Sequence, residues 1–244
     1  FCLNASPAPS GFYKVHARPS FTSLHCLMSG VRGFDRIKCW LRDGVDITSF
    51  FRHYEGEFNG RIFNSSSPPP MFFQNAPICE EFSDFITSTI LKRLKEGSMC
   101  VLGRVGVVPP PLVVNALSVE PTKPRLILSM RALNLFCGDT PFSLTPLSDI
   151  IKSVQPKDFF TSFDDVQGYK QIALSKESYQ FCGFEWGGWW FADTCLPFGW
   201  KNSSYVYTTV GNVLSAWLDD RGVYTELWID DRFLGLAPPL CDHL

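Results

Sequence analysis

Two adjacent carboxylates, Asp230 and Asp231, lie between two apolar runs of the chain, residues 223–229 and 233–237. No glycine, asparagine or proline separates the runs, so the pattern predicts two strands with the acids in the bend between them. Two like charges on one tight turn repel each other. A divalent cation such as Mg²⁺ removes that repulsion, because hard cations prefer carboxylate oxygens. The pair is therefore a candidate metal site, and a solvated turn is the alternative interpretation.

A second acidic pair follows another apolar strand. Residues 159–163 read FFTSF and run directly into Asp164 and Asp165. An acid at the end of a buried strand is held on rigid backbone, which suits the binding of a charged ligand. The order strand and acid, hairpin, helix, then strand, acids and strand predicts an α+β domain. In such a domain the two acidic sites can meet on one face of a sheet.

Hydrophobic periodicity and turn residues predict the elements around these acids. A helix is expected from Asn75 or Pro77 to Gly97, with Phe82, Phe85, Ile86, Ile90, Leu91 and Leu94 on its apolar face. Strands are expected at 113–119, 125–128, 179–186 and 189–195, and further helices near 37–43, after Thr145-Pro146, and from Asn202-Ser203 to Gly222. The turn between the first two strands exposes Lys123, as either a solvated loop or a phosphate clamp.

Composition restricts the classes of function that fit the chain. The 244 residues are 45% hydrophobic and 19% charged, which is typical of a globular protein with a substantial core. The formal net charge of −2 does not favour a nucleic-acid binder, so any basic groove must be local. No apolar run reaches membrane-spanning length and no signal peptide is visible, so no membrane association is expected.

Cysteine usage indicates the compartment. The nine cysteines contain no Cys-x-x-Cys pair, and histidine is scarce, which argues against a zinc site and against a disulfide framework. Free thiols favour an intracellular protein, cytoplasmic or nuclear and not secreted. The sequence starts at Phe1 without an initiator methionine, and we interpret it as an excerpt of a longer polypeptide. Residues 1–75 are treated as an N-terminal extension of unknown role.

Four segments resemble reverse transcriptase motifs, in the right order and on the right predicted elements. FDDVQGYKQI at 163–172 resembles the first catalytic motif, LPFG at 196–199 the loop that opens the second palm helix, and WIDD at 228–231 the Tyr-x-Asp-Asp box. KPR at 123–125 with RALN at 131–134 resembles the fingers motif that precedes the first catalytic strand. The resemblance covers roughly residues 79–236.

Finer features resemble retroelements of the tyrosine-recombinase (DIRS-like) type. They are VEPTKPR at 119–125, FEWGGW at 184–189, LPFGW at 196–200 and IDDR at 229–232. Three departures from the family pattern stand out: Trp228 replaces the usual Tyr of the box, Ser129 stands where related elements usually carry an acid, and Ser203-Ser204 replaces the common Ala-Pro. None of them removes a metal ligand.

The resemblance implies the fingers and palm of a right-hand polymerase, with an antiparallel palm sheet backed by helices and a thumb that is truncated or absent. Residues 76–244 would form this reverse transcriptase domain. The fingers would take up about 76–155 and 176–198, and the palm about 156–175 and 199–244. Expected partners are an RNA or DNA template with its primer, deoxynucleoside triphosphates, and ribonuclease H and recombinase modules of the same polyprotein.

The resemblance also implies roles for individual residues. Asp164, Asp230 and Asp231 would be catalytic and would hold two Mg²⁺ ions, or Mn²⁺, with the backbone carbonyl of Asp165 completing one metal shell. Arg125 would pair with the triphosphate, because a forked guanidinium suits phosphate oxygens, and Lys123 would assist. Gly168, Tyr169, Phe198 and Gly199 would contact the nucleotide, and the Tyr169 ring, under the ribose, would exclude a 2′-hydroxyl.

Three functions therefore remain to be compared. The first is an RNA-directed DNA polymerase. The second is a catalytically inactive, nucleic-acid-binding relic of such a domain, which would have no need to keep three mutually repelling acids. The third is an RNA polymerase with the same two-metal palm, against which the aromatic Tyr169 argues.

Overall fold

The fold is that of a computed structural model, which describes residues 21–144, 159–229 and 231–236. Helices alternate irregularly with strands that pair mainly antiparallel, so the predicted α+β class is confirmed. The helix expected after Thr145-Pro146 lies outside the described residues. Within those residues no helix has both the length and the apolar character needed to cross a bilayer.

The helices are α1 (Phe21–Met28), α2 (Phe34–Asp43), α3 (Ile78–Glu81), α4 (Ser83–Glu96), α5 (Arg131–Leu135) and α6 (Ser203–Asp219). The strands are β1 (Tyr54–Phe58), β2 (Arg61–Ser65), β3 (Met71–Phe72), β4 (Met99–Arg104), β5 (Val113–Val114), β6 (Ala116–Glu120), β7 (Arg125–Ser129), β8 (Phe159–Asp164), β9 (Gly183–Trp186), β10 (Trp189–Asp193), β11 (Val223–Trp228) and β12 (Asp231–Leu236). Three 3-10 helices cover Ile47–Phe50, Gly168–Gln171 and Lys176–Phe181.

A five-stranded sheet forms the larger core, in the order β3-β5-β9-β10-β4. The predicted hairpin at Gly187-Gly188 joins β9 to β10, and both glycines have positive φ angles of 57° and 80°, as a two-residue hairpin turn requires. Phe184 and Phe191 from this hairpin are at most 1% exposed and stack at 5.6 Å between ring centroids. Helix α4 covers the sheet with its buried Ile86 and Ile90.

A separate three-stranded antiparallel sheet has the order β11-β12-β8, and it carries the acidic motifs. Helix α6 packs on β11 and leads into it through a turn that ends at Gly222, where φ is 76°. Thr225 and Leu227 alternate as the buried residues of β11, as expected for a strand with one covered face. We call this the acidic sheet.

Residues before position 75 share the core of the rest of the chain. Val45, Ile47, Phe63 and Met71 are buried in the same hydrophobic cluster as Ile86 and Ile90 of α4. The division into an extension ending at residue 75, fingers and palm stays a prediction. Residues 45–71 nevertheless contribute to the main core, whereas Phe34 and Ile37 form a second cluster with Val213.

The sequence-based elements differ from the structure in four details. The helix expected up to Gly97 is split at Phe82, and Leu91, placed on its apolar face, is 46% exposed. The strand expected from residue 179 begins only at Gly183, because Lys176–Phe181 forms a 3-10 helix.

The other two details concern Asn residues. Asn202 precedes α6 but does not cap it, since its side-chain amide donates to Gly138 O and Thr140 Oγ1 instead. Asn115 interrupts the strand expected at 113–119, because its amide donates to Phe181 O and Gly183 O.

Candidate active site

Asp231, predicted to lie in the bend between β11 and β12, is instead the first residue of β12. Trp228 pairs with Asp231, so the antiparallel pairing of β11 with β12 begins directly at the acidic motif. Ile229 has a φ of 56°, a conformation that is rare for a β-branched side chain and costs on the order of 1–3 kcal/mol. Asn or Gly usually takes this conformation, so the sequence has kept an unfavourable residue beside the acids. Asp230 itself lies outside the described residues.

The register between β12 and β8 brings the two acidic motifs together. Asp231 is the antiparallel partner of Asp164, at the end of both strands. Directly opposed residues in such a pair have Cα atoms about 4.5–5.5 Å apart. Asp231 is exposed, so its carboxylate is open to solvent and ligands. The predicted meeting of the two acidic sites on one sheet is confirmed at the level of the backbone.

Asp165 faces helix α6. Its carboxylate accepts a hydrogen bond from the hydroxyl of Tyr207, and its backbone carbonyl accepts one from Gly168 N at 3.1 Å. A carbonyl oxygen has two lone pairs, so one remains for a further partner. The predicted participation of this carbonyl in a metal shell therefore stays a prediction that the geometry permits.

The predicted nucleotide residues Tyr169 and Phe198 lie against each other. Their rings stack at 4.9 Å between centroids with an interplanar angle of 23°, and the Tyr169 hydroxyl shares a hydrogen bond of 2.7 Å with Ser204 Oγ on α6. Tyr169 belongs to the 3-10 helix Gly168–Gln171 and is half-buried, whereas Phe198 is 65% exposed. The pair therefore presents aromatic surface to solvent beside the end of β8.

Two glycines of the predicted site sit where a side chain does not fit. A Cβ at Gly168 would lie 2.4 Å from Tyr207 Oη, and a Cβ at Gly199 would lie 2.8 Å from Leu128 O. Gly199 also has a φ of 102°. Asn134 holds this loop, because its amide donates to Gly199 O at 2.7 Å and its side-chain oxygen accepts from Lys201 N at 3.0 Å.

A cleft of about 740 Å³ extends from the loop of Phe198 and Gly199 to Arg125. Its volume lies in the range of small-molecule sites. Charged side chains dominate the polar part of its wall: Lys92, Arg93, Glu120, Arg125 and Lys170. Phe198 and Gly199 also line it, so three of the predicted nucleotide contacts share one cleft. Lys123 is exposed on the β6–β7 turn and is not part of the cleft wall.

Two ion pairs lie next to this cleft. Arg93 lies 3.6 Å from Asp193, and Lys170 lies 3.3 Å from Glu96. Burial raises the pKa of the Asp193 carboxyl to about 6, although Arg93 and Lys170 both favour its charged form. Arg125 has no ion-pair partner within the described ranges, so it is the cleft cation that is open to an anionic ligand.

Sequence reasoning missed three residues that organise the site: Asn134 as the clamp of the Gly199 loop, Tyr207 as the partner of Asp165, and Arg232 as a buried cation behind Asp231. A signal for Arg232 was present. Side chains alternate along a strand, so the residue after an exposed Asp231 must point inward. Tyr207 carried no comparable signal, since it reads as one more aromatic on the helix.

The described residues contain no group of three His, Cys, Asp or Glu side chains that could hold a metal ion. Asp230 and the side chain of Asp164 are not among them. The donor chemistry at the paired strand ends is nevertheless that of a hard cation site, because like charges on directly opposed strand residues destabilise a sheet unless they are neutralised.

Comparison of the sequence with known proteins finds similarity to retroelement and viral polyproteins. No family model matches the chain. It is 24% identical over 170 residues to the retrovirus-related Pol polyprotein from transposon gypsy of Drosophila melanogaster, covering 64% of this chain and 16% of the polyprotein. It is 26% identical over 112 residues to polyprotein P3 of Commelina yellow mottle virus, covering 43% of this chain and 6% of that protein. The chain thus spans a small part of these relatives.

Comparison with solved structures identifies proteins of similar fold. Two structures of the prototype foamy virus protease-reverse transcriptase, one a CSH mutant and one native, match with TM-scores of 0.54 and 0.51 at 22% and 20% identity. They cover 71% and 70% of this chain and 22% of the viral protein in each case. The described residues therefore adopt a reverse-transcriptase-like fold, and the predicted fold class is confirmed.

Proposed function

We propose that the chain is the catalytic part of a reverse transcriptase, an RNA-directed DNA polymerase from a retroelement polyprotein. The observation that carries the proposal is the strand register that pairs Asp231 with Asp164. Two acids directly opposed at the end of one sheet, with a third acid next to them in the sequence, repel each other, so a cationic partner would stabilise them. The likeness to the foamy virus fold and the similarity to the gypsy Pol polyprotein support the same activity.

The acids fit the Mg²⁺ chemistry of phosphoryl transfer. In the proposal, Asp164, Asp230 and Asp231 hold two divalent ions, Mg²⁺ or Mn²⁺, with the Asp165 carbonyl as a further oxygen donor. Bound ions of this kind lower the pKa of the primer 3′-hydroxyl and offset charge on the leaving pyrophosphate. The role of the chain itself is to hold carboxylates close together on a stiff hairpin, open to solvent on one side.

The cleft supplies the nucleotide contacts. Arg125, whose guanidinium has no ion-pair partner among the described residues, binds the triphosphate, and the exposed Lys123 adds positive charge on the adjacent turn. The stacked rings of Tyr169 and Phe198 form the wall against the sugar and the templating pair. Gly199 allows the backbone to approach closely at the cleft, and Gly168 allows the same beside Tyr207, because neither position has room for a side chain.

The proposal also covers the type of retroelement and the other modules of its polyprotein. The motifs at 119–125, 184–189 and 229–232 favour a tyrosine-recombinase (DIRS-like) retroelement. The small share that the chain covers in its polyprotein relatives is consistent with ribonuclease H and recombinase modules elsewhere in the same polyprotein. Template and primer would lie on the open face of the acidic sheet. Free thiols in the described part of the chain are consistent with an intracellular setting.

Primer extension tests the function directly. We expect the protein to add deoxynucleotides to a DNA primer on an RNA template in the presence of Mg²⁺. Asp164→Asn and Asp230→Asn should each reduce the rate by three or more decades, about 4 kcal/mol of transition-state stabilisation, because each removes an anionic ligand at unchanged volume. Both variants should keep the circular dichroism spectrum and the unfolding midpoint of the natural protein.

Asp220→Asn is the matched control, since Asp220 is an exposed acid at the end of α6 and away from the strand pairing. It should extend primers at the natural rate. Near-natural extension by Asp164→Asn or Asp230→Asn would contradict the assignment of the acids. If the natural protein binds primer-template but adds no nucleotide with Mg²⁺ or Mn²⁺, the non-catalytic alternative holds instead.

A further inference from the structure

Arg232 is a fully buried cation directly behind the acidic hairpin. It is 1% exposed, and its two terminal nitrogens donate to helix α6: Nη1 to Ser215 Oγ at 2.8 Å and Nη2 to Gly211 O at 3.2 Å. Its Nε is buried and has no hydrogen-bond partner in the described part of the chain. Burying a guanidinium costs several kcal/mol, and an apolar side chain at such a position is often no less stable. Stability alone therefore does not explain this residue.

Gly211 lets the helix approach the strands closely enough for these bonds. A Cβ at position 211 would lie 2.2 Å from Leu227 Cδ2 of β11 and 3.4 Å from Arg232 Nη2. Glycine inside a helix costs roughly 1 kcal/mol relative to alanine, so the close approach is kept at the expense of helix stability.

The same face of α6 holds the other acidic strand. Tyr207 lies four residues before Gly211 and eight before Ser215, so the three share one stripe of the helix. The Tyr207 hydroxyl donates to the carboxylate of Asp165, the residue that follows β8. One turn of α6 therefore fixes the end of β8, and the next two turns fix β12 through Arg232. Asp165 and Tyr207 are also near enough to act electrostatically on the Arg232 guanidinium.

We propose that Tyr207 and Arg232 are positioning residues, which anchor the ends of β8 and β12 to α6 and so set the separation of Asp164 from Asp231. The inference rests on the proposed function, because it assigns a purpose to the geometry of those acids. A forked guanidinium bound to two points of one helix fixes orientation as well as distance. Catalytic groups need placement within about 0.5 Å, and packing of the open acidic sheet does not supply that on its own.

Two small, uncharged substitutions test the anchors. Tyr207→Phe removes only the hydroxyl that binds Asp165, and Ser215→Ala removes only the acceptor of Arg232 Nη1. Each should lower kcat for primer extension roughly 10-fold, since small misplacements of reacting groups are costly, while KM for the deoxynucleotide stays within about two-fold. Binding of Mn²⁺ without nucleotide, measured by electron paramagnetic resonance, should weaken several-fold. A purely structural role would lower the unfolding midpoint without this split between kcat and KM.

Arg232→Met tests the cation itself, and Arg221→Met is its matched control. Both remove one positive charge, but Arg221 is exposed and lies over the Trp217 ring at the end of α6. We expect kcat to fall by about 100-fold in Arg232→Met and to stay unchanged in Arg221→Met. Combining Tyr207→Phe with Arg232→Met should reduce kcat by less than the product of the single effects, because both anchors act on one separation.

The outcomes separate this inference from the proposed function. If the natural protein extends primers but Tyr207→Phe and Ser215→Ala match it in kcat and Mn²⁺ affinity, the anchors are not positioning residues and the polymerase assignment stands. If the natural protein adds no nucleotide while both variants weaken Mn²⁺ binding, the anchors are supported and the activity is wrong. Multiplicative effects in the double variant, or no Mn²⁺ binding by the natural protein, would overturn the inference. Should Arg232→Met not fold, the two uncharged variants decide.

Discussion

The two larger sheets of this protein are stabilised in different ways. In the five-stranded sheet, Phe184 and Phe191 are completely enclosed between strands and helices. In the acidic sheet, Phe159, Phe160 and Trp228 are 41–60% exposed, and one face relies on helix α6 for its cover. The first sheet is a core, and the second is a half-covered platform. The proposed function requires this difference, because a sheet that binds a charged ligand cannot be buried on both faces.

The acidic residues of the two sheets also differ in their exposure. In the five-stranded sheet the carboxylate of Asp193 is 5% exposed and lies near Arg93. In the acidic sheet Asp231 is paired with Asp164 of the neighbouring strand, and Asp231 is exposed. The buried acid is held by the protein's own cation, whereas the exposed one is available to a cation from solution. Under the proposed function, the same residue type therefore serves structure in one sheet and metal binding in the other.

The comparison is tested most strongly by removing one phenylalanine from each sheet. Phe191→Ala should lower the free energy of unfolding by about 3–5 kcal/mol, because the vacated space cannot collapse between packed strands. Phe233→Ala, which removes a half-buried ring stacked on Phe160, should cost roughly 1–2 kcal/mol. Urea unfolding of both variants measures the contrast. Equal losses would mean that the acidic sheet is as tightly packed as the other.

Tyr169 lies between Phe198 and helix α6. A substitution at this position can separate its proposed role in sugar selection from a role in packing. Tyr169→Val should raise ribonucleotide incorporation by about two decades, about 2.7 kcal/mol, with little change for deoxynucleotides. Tyr169→Phe is the matched control, since it loses the bond to Ser204 but keeps the ring. Single-nucleotide incorporation with both sugars measures the effect. An unchanged sugar preference in Tyr169→Val would make the residue a packing aromatic only.

The buried charge of the five-stranded sheet predicts a pH effect of smaller size. The folded carboxyl of Asp193 has a pKa near 6 against 3.8 for the ordinary group, so between these values the folded state binds more protons than the unfolded one. Its contribution to stability therefore falls as the pH rises through this window, by at most about 1.4 kcal/mol per pH unit.

Asp193→Asn should remove this dependence of the free energy of unfolding on pH. The stability of the natural protein relative to Asp193→Asn should decline by roughly 2 kcal/mol between pH 4.5 and 6.5, as measured by urea unfolding at both values. Above pH 6.5 the difference should be constant, because the carboxylate is then ionised in both states. A difference that is flat across the whole range would show that Asp193 titrates normally.

The sequence alone determined the local elements and the presence of the acids. Periodicity located α4, α6 and most strands, and the two apolar runs around Asp230 and Asp231 located the hairpin of β11 and β12, although Asp231 proved to be a strand residue. These features follow from interactions between residues near each other in the chain, so the pattern of side chains reports them directly. The strand errors at Tyr179 and Asn115 arose where contacts with distant backbone replaced the local preference.

Only the tertiary structure decided the partners of those elements. The register of β12 on β8 depends on strands that lie far apart in sequence, and a shift of one residue would reverse every side chain. Likewise, nothing local shows that Tyr207 reaches Asp165, or that Gly211 opens a path from Arg232 to Ser215. The sequence supplies the acids, but only the folded chain brings Asp231 opposite Asp164.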